Sequence, residues 1–145
     1  MAEVLLNREQ IKEIIPHREP FLLIDEVLEM EIGKSILART YIKEDDFWFK
    51  GHFPEKPITP GVLMVEMLAQ AGAVCILSQP EFKGKIALFA GIDKAKFRRQ
   101  VVPGDVLDLS VEMIAQRGPM GVGKAVASVG DERAVTCEIK FAVEQ

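Results

Sequence analysis

The chain has 145 residues, of which 48 % are hydrophobic and 28 % charged, and its formal net charge is −4. That length holds one domain with a proper core and is too short for two ordinary ones, so residues 1–145 read as a single domain. The charge balance excludes a disordered tail and a general nucleic-acid binder, and any anionic partner must be met by a local patch.

Met1 to Arg8 lacks a basic segment followed by an apolar stretch, which argues against a secretory signal and makes a cytoplasmic location the expectation. Asn7 with Gln10 three places on reads as a helix cap, and Ile11, Ile14 and Ile15 form a short apolar stripe that Pro16 ends. Phe21 to Met30 is an apolar, β-compatible run; Gly33 marks a turn, and Ser35 to Ile42 continues as a second strand, the two pairing as a hairpin. From Asp45 to Pro60, the breakers Gly51, Pro54, Pro57 and Pro60 predict a stiff loop without regular structure. Pro60-Gly61 then opens a helix over Val62 to Leu77, apolar on almost every side and so buried all round. The run is short for a membrane span and carries Glu66 in its first half.

Strands follow over Lys85–Asp93, Val106–Gln116, Val122–Val129 and Ala134–Val143. The last is the clearest, with Val135, Cys137, Ile139, Phe141 and Val143 alternating against Thr136, Glu138 and Lys140, and Gly130 to Arg133 supplies its hairpin turn. One long buried helix, about six strands and no βαβ alternation imply an α+β fold, an antiparallel sheet curled around a central helix. Cys75 and Cys137 lie in apolar runs without CxxC spacing and read as reduced core thiols.

Glu66 is the sharpest anomaly, because a carboxylate in a buried helix costs several kcal/mol unless it is paired or neutral. Gln70 is its i+4 neighbour on the same face. The pair is either a structural hydrogen bond or a carboxyl kept in an apolar cleft for acid work. His52, in the braced segment Gly51-His52-Phe53-Pro54 leading into that helix, favours the second reading. His17 has no comparable carboxylate context and reads as structural. The N–H groups of Gly61 and Val62 are first-turn donors where the helix dipole favours negative charge, an oxyanion site. A base, a carboxylic acid and an oxyanion hole suit proton removal α to a thioester carbonyl with loss of a β-hydroxyl.

Other chemistries fit less well. Two histidines and two cysteines far apart give no metal-ligand spacing, and there is no Gly-x-Ser-x-Gly elbow. The segment from Gly118 to Ala125 approaches a phosphate loop but ends in Ala125 where Ser or Thr belongs and leads into a strand, so it reads as a hairpin turn. Asp93 to Arg99 gathers four positive charges, Lys94, Lys96, Arg98 and Arg99, which form either a solvated face or a docking patch for an acidic partner.

The stretch Gly51 to Gln70, GHFPEKPITPGVLMVEMLAQ, resembles the signature of the 3-hydroxyacyl-acyl-carrier-protein dehydratases of fatty-acid synthesis. The resemblance extends to Pro16–Asp25 and to Asp93–Asp105. It implies the hot-dog fold, His52 and Glu66 as the catalytic pair, the Gly61 amide holding the thioester oxygen, and no cofactor. It also implies an acyl carrier protein docking at Lys94, Lys96, Arg98 and Arg99, and homodimers made by sheet extension, with shared active sites and commonly grouped as a trimer of dimers. Glutamate at position 66 resembles the general dehydratase branch; the branch that also isomerises the double bond usually has aspartate there. Thr59, where a bulkier apolar residue is usual, and Gly121-Val122-Gly123, without an aromatic, depart from the pattern where tunnel shape is set.

The rival readings are a hot-dog thioesterase or an enoyl-coenzyme-A hydratase acting on the same thioester, and a non-catalytic acyl-binding sensor. Thiol release without loss of the β-hydroxyl would mark the thioesterase. A sensor has no need of His52 and Glu66 together.

Overall fold

The structure, a computed structural model, describes residues 3–144; Met1 and Ala2, part of the stretch read for a leader, and Gln145 lie outside the described residues. A short helix α1 (Arg8–Lys12) precedes strands β1 (Glu26–Glu31) and β2 (Ser35–Tyr41). The long helix α2 (Gly61–Leu77) follows, then β3 (Ala87–Phe97), β4 (Val106–Arg117), β5 (Met120–Val129) and β6 (Glu132–Val143). The strands form one six-stranded antiparallel sheet in the order β1-β2-β4-β5-β6-β3, and α2 packs against every one of them. This is the hot-dog arrangement. Among the described residues no helix is long and apolar enough to cross a membrane.

The core lies between α2 and the concave face of the sheet. From Met67 to Leu77 every residue of α2 is buried, while Val62 in its first turn is 72 % exposed. β6 meets the helix with Val135, Cys137, Ile139, Phe141 and Val143, the face its alternation predicts. Gly72 is where sheet and helix come closest: a Cβ there would stand 2.4 Å from Cζ of the Phe141 ring, which is itself buried. Gly72→Ala is therefore expected to destabilise the fold by about 1–3 kcal/mol through overpacking, read as a lower denaturation midpoint at unchanged slope.

Several local expectations are corrected. The capping box forms as expected, Asn7 Oδ1 accepting from Gln10 N (2.9 Å) and Gln10 Oε1 from Asn7 N (2.8 Å). The helix nevertheless stops at Lys12 and leaves Ile14 and Ile15 in a turn, because a residue ahead of proline is disfavoured in helix. Residues 21–25 are no strand. Their polar backbone is satisfied by side chains: Arg8 donates to the carbonyls of Leu22 and Ile24, Gln70 bonds Phe21 and Leu23, and the Thr40 hydroxyl donates to Leu23. The loop before α2 holds a 3₁₀ turn at Phe47–Lys50, which ends just ahead of the breakers.

The turn read across Gly118–Ala125 is confined to Gly118-Pro119, and Gly121 and Gly123 lie inside β5. A Cβ at 123 would stand 2.9 Å from Val111 Cγ1, so glycine serves close strand packing there. β3 runs on past Asp93 to Phe97, with a bulge between Asp93 and Lys96. It is an edge strand, and its lysines face solvent as edge lysines usually do.

Candidate active site

Glu66 sits one and a half turns into α2 and opens onto a cavity of about 370 Å³. Ala69 and Ala73 continue its stripe along the helix; Phe21, Ile86, Leu88, Phe89 and Phe141 complete an apolar wall. Burial pushes the Glu66 carboxyl up from its ordinary range, and the hydrogen bond from Gln70 Nε2 to Oε2 (3.0 Å) opposes that only in part. Gln70 is wholly buried; its carbonyl accepts from Leu23 N (2.9 Å) and its amide also donates to the Phe21 carbonyl (2.7 Å). The expected Glu66–Gln70 pair is thus present, and Gln70 also ties the helix to the loop that roofs the cavity.

His17, read as structural for want of a carboxylate nearby, does stand beside one. Its Nε2 lies 3.7 Å from Glu66 Oε2, and it lines the same cavity. Forty-nine positions separate the two in the chain, and topology alone brings them together. The stretch Pro16–Asp25 was singled out by resemblance, which was the available signal.

His52 is held elsewhere in the chain. Its N–H donates to the Trp48 carbonyl (3.1 Å), its carbonyl accepts from Ile58 N (3.0 Å), and its ring stacks on Phe53 at 4.2 Å. Nδ1 lies 2.9 Å from the Ile58 carbonyl oxygen. A carbonyl only accepts, so Nδ1 carries a proton, and the lone pair of a neutral ring would be on Nε2, the form a base requires. His52 does not line the Glu66 cavity, and among the described residues the two share no hydrogen bond or ion pair.

Gly61 is the first residue of α2, behind Pro60, so its N–H has no carbonyl one turn back to bond within the helix. A Cβ there would stand 2.6 Å from two carbons of the Phe97 ring, so any larger residue would have to displace that exposed ring where the end of β3 meets the helix start. Val62 follows on the exposed side.

The basic run divides in two. Arg99 is engaged by Asp105 (3.1 Å) and Glu132 (3.0 Å), and Lys94 lies 3.5 Å from Glu138. Lys94, Lys96 and Arg98 line a shallow cleft on the outer face of the sheet together with Lys124 of β5 and Arg133 of β6, neither of which the sequence reading included. Both thiols are buried and free, and burial pushes Cys137 up to about 11, as suits inert core cysteines. Among the described residues no three His, Cys, Asp or Glu side chains gather closely enough to hold a metal ion.

A hot-dog domain with a carboxyl half-buried in an apolar trough along its central helix defines the class. The chain belongs to the FabA-like domain family, whose model matches residues 15–138. It is 57 % identical over 138 residues to the 3-hydroxyacyl-[acyl-carrier-protein] dehydratase FabZ of Clostridium novyi, covering 95 % of this chain and 97 % of that one. To the protein of the same name from Clostridium botulinum it is 55 % identical over 141 residues, covering 97 % and 98 %. Among solved structures, the dehydratase heterocomplex ApeI:P from Xenorhabdus doucetiae superposes with a TM-score of 0.81 at 17 % identity, over 93 % of this chain and 91 % of that one. An uncharacterized protein from Pyrococcus horikoshii gives 0.71 at 11 % identity, over 92 % of each chain. At such identities these two speak for the fold alone.

Proposed function

We propose that the protein dehydrates (3R)-3-hydroxyacyl-acyl-carrier-protein to the trans-2-enoyl thioester in fatty-acid elongation, residues 1–145 working as one catalytic domain in the cytoplasm. The observation that carries this reading is Glu66: a carboxyl with a raised pKa at the mouth of an apolar trough, where a protonated acid is favoured. The acyl chain lies along Ala69 and Ala73. His52 Nε2 takes the C2 proton, the Gly61 amide stabilises enolate-like charge on the thioester oxygen, and Glu66 protonates the departing C3 hydroxyl. The scheme uses no metal and no cofactor.

The site is assembled in a homodimer, His52 from one chain facing Glu66 of the other, with dimers grouped in threes. The separation of His52 from the Glu66 cavity within one chain supports this, as do the unpaired edge of β3 and its exposed Leu88, Ile92 and Phe97. The test of the function is to incubate purified protein with 3-hydroxyacyl-carrier substrates of several lengths and read products by mass. Loss of one water per turnover is the expected result, and release of free carrier thiol would point to a thioesterase.

The carrier docks on the outer-face cleft. Lys94, Lys96, Arg98, Lys124 and Arg133 line it, and Arg99 braces its edge through Asp105 and Glu132. Phe97, on the same strand with its ring over Gly61, places this face beside the start of α2. Reversing charge at Lys96 and Arg133 is expected to raise KM for carrier-bound substrate about tenfold and to flatten its salt dependence, leaving a pantetheine substrate nearly unaffected. Equal loss on both substrates would sink the docking surface.

A further inference from the structure

Glu66 Oε2 is approached by two nitrogens, Gln70 Nε2 at 3.0 Å and His17 Nε2 at 3.7 Å. The first is a hydrogen bond, and the second is too long for one. Gln70 is pinned by its bonds to Phe21 and Leu23 and cannot turn away. Burial, helped by the neighbouring Arg18 charge, lowers the His17 pKa, which favours the neutral ring beside the carboxyl. Among the described residues its buried Nδ1 has no hydrogen-bond partner. A bare lone pair is a less costly orphan than an unpaired N–H, so the ring proton sits on Nε2, the nitrogen facing Glu66. The cavity lining holds no titratable side chain besides these two among the described residues; Arg18 turns its guanidinium to the carbonyls of Lys12, Ile15 and His17.

We propose that His17 is a positioning residue of the dehydration, its Nε2–H closing on Glu66 Oε2 as the carboxyl gives up its proton. This rests on the reading of Glu66 as the acid. With Oε2 occupied by Gln70, the proton to be donated is on Oε1. The C3–O bond breaks with its electron pair on oxygen, the Oε1 proton joins that oxygen, and water leaves. The C2 proton passes to His52, and the pair left in C2 forms the double bond. His17 changes neither its charge nor its proton count. The proton on His52 returns to Glu66 before the next turnover. A contact that is long while the carboxyl is neutral and shortens as it becomes negative stabilises the transition state more than the ground state.

The test compares His17→Phe, which keeps a ring and removes the donor, with His17→Gln, which restores an N–H. Removing the donor is expected to lower kcat about tenfold to a hundredfold with KM within about twofold, and Gln should recover most of the loss. The carboxylate form loses a hydrogen bond, so the Glu66 pKa rises and the limb on which activity falls with increasing pH moves to higher pH. That limb is identified as the one absent from the residual activity of Glu66→Gln. A folded His17→Phe with wild-type kcat and an unmoved limb would overturn the proposal, as would equal impairment of Phe and Gln, which would indicate packing alone. Should His17→Phe fail to fold, His17→Ala takes its place under the same criteria. Failure of the underlying reading looks different: a wild-type chain that eliminates no water, or Glu66→Gln at full turnover.

Discussion

His52→Ala and Glu66→Gln chains, unfolded together in equal amounts and refolded, should recover roughly a quarter of wild-type activity, although each alone is nearly inactive. Random pairing makes about half the dimers mixed, and a two-fold dimer that shares its sites then holds one intact site and one lacking both groups. If both groups came from one chain, every site would be defective in every combination. The measurement is turnover on a 3-hydroxyacyl carrier substrate, with mixed dimers counted by mass. Activity at the parent level with mixed dimers present would remove the shared site.

The second large effect concerns the single substitutions. Both are expected to lower kcat by about two to four orders of magnitude, the range for a lost general acid or base. Their stabilities should differ in an informative way. The Glu66 pKa is raised in the folded state, so its ionisation opposes folding: the penalty is absent below the unfolded-state value, where the carboxyl is protonated in both states, and grows as pH rises through the folded-state value. Glu66→Gln keeps the shape without the charge, so its melting temperature at neutral pH should equal or exceed wild type. That advantage should vanish on acidification below the ordinary glutamate range. A large drop in melting temperature at neutral pH would instead assign Glu66 a structural task.

The parts of the fold legible in the sequence are those whose partner is a uniform surface. β6 alternates because one face meets a helix and the other meets water; α2 stands out because Pro60-Gly61 opens it and the sheet curls around it, leaving most of it buried. Residues 21–25 were misread as strand because an apolar run does not reveal what satisfies its backbone, and here Arg8, Thr40 and Gln70 do so from three other elements. Gly121 read as turn because glycine used for close packing looks the same as glycine used for bending. Within the site, Glu66 was visible as a charge in an apolar helix and Gln70 as its i+4 neighbour. The proximity of His17 was not, since it depends on where the loop between α1 and β1 returns to the helix. Arg133 and Lys124 escaped notice because a cleft across three strands draws on positions with no nearness in sequence.

The bare edge of β3 carries a last consequence. Leu88 and Phe89 lie on that edge strand and also wall the Glu66 trough. If the site is shared as proposed, closing the trough, delivering the base and burying the edge are one event, the meeting of two chains. On that proposal a solitary chain would offer substrate an open groove and an acid with nothing to abstract the proton. Output per chain should accordingly rise with the amount of protein until pairing is complete, so that in the dilute limit the rate scales with the square of chain concentration. A cell making this protein would gain little from the first few copies and disproportionately from the next.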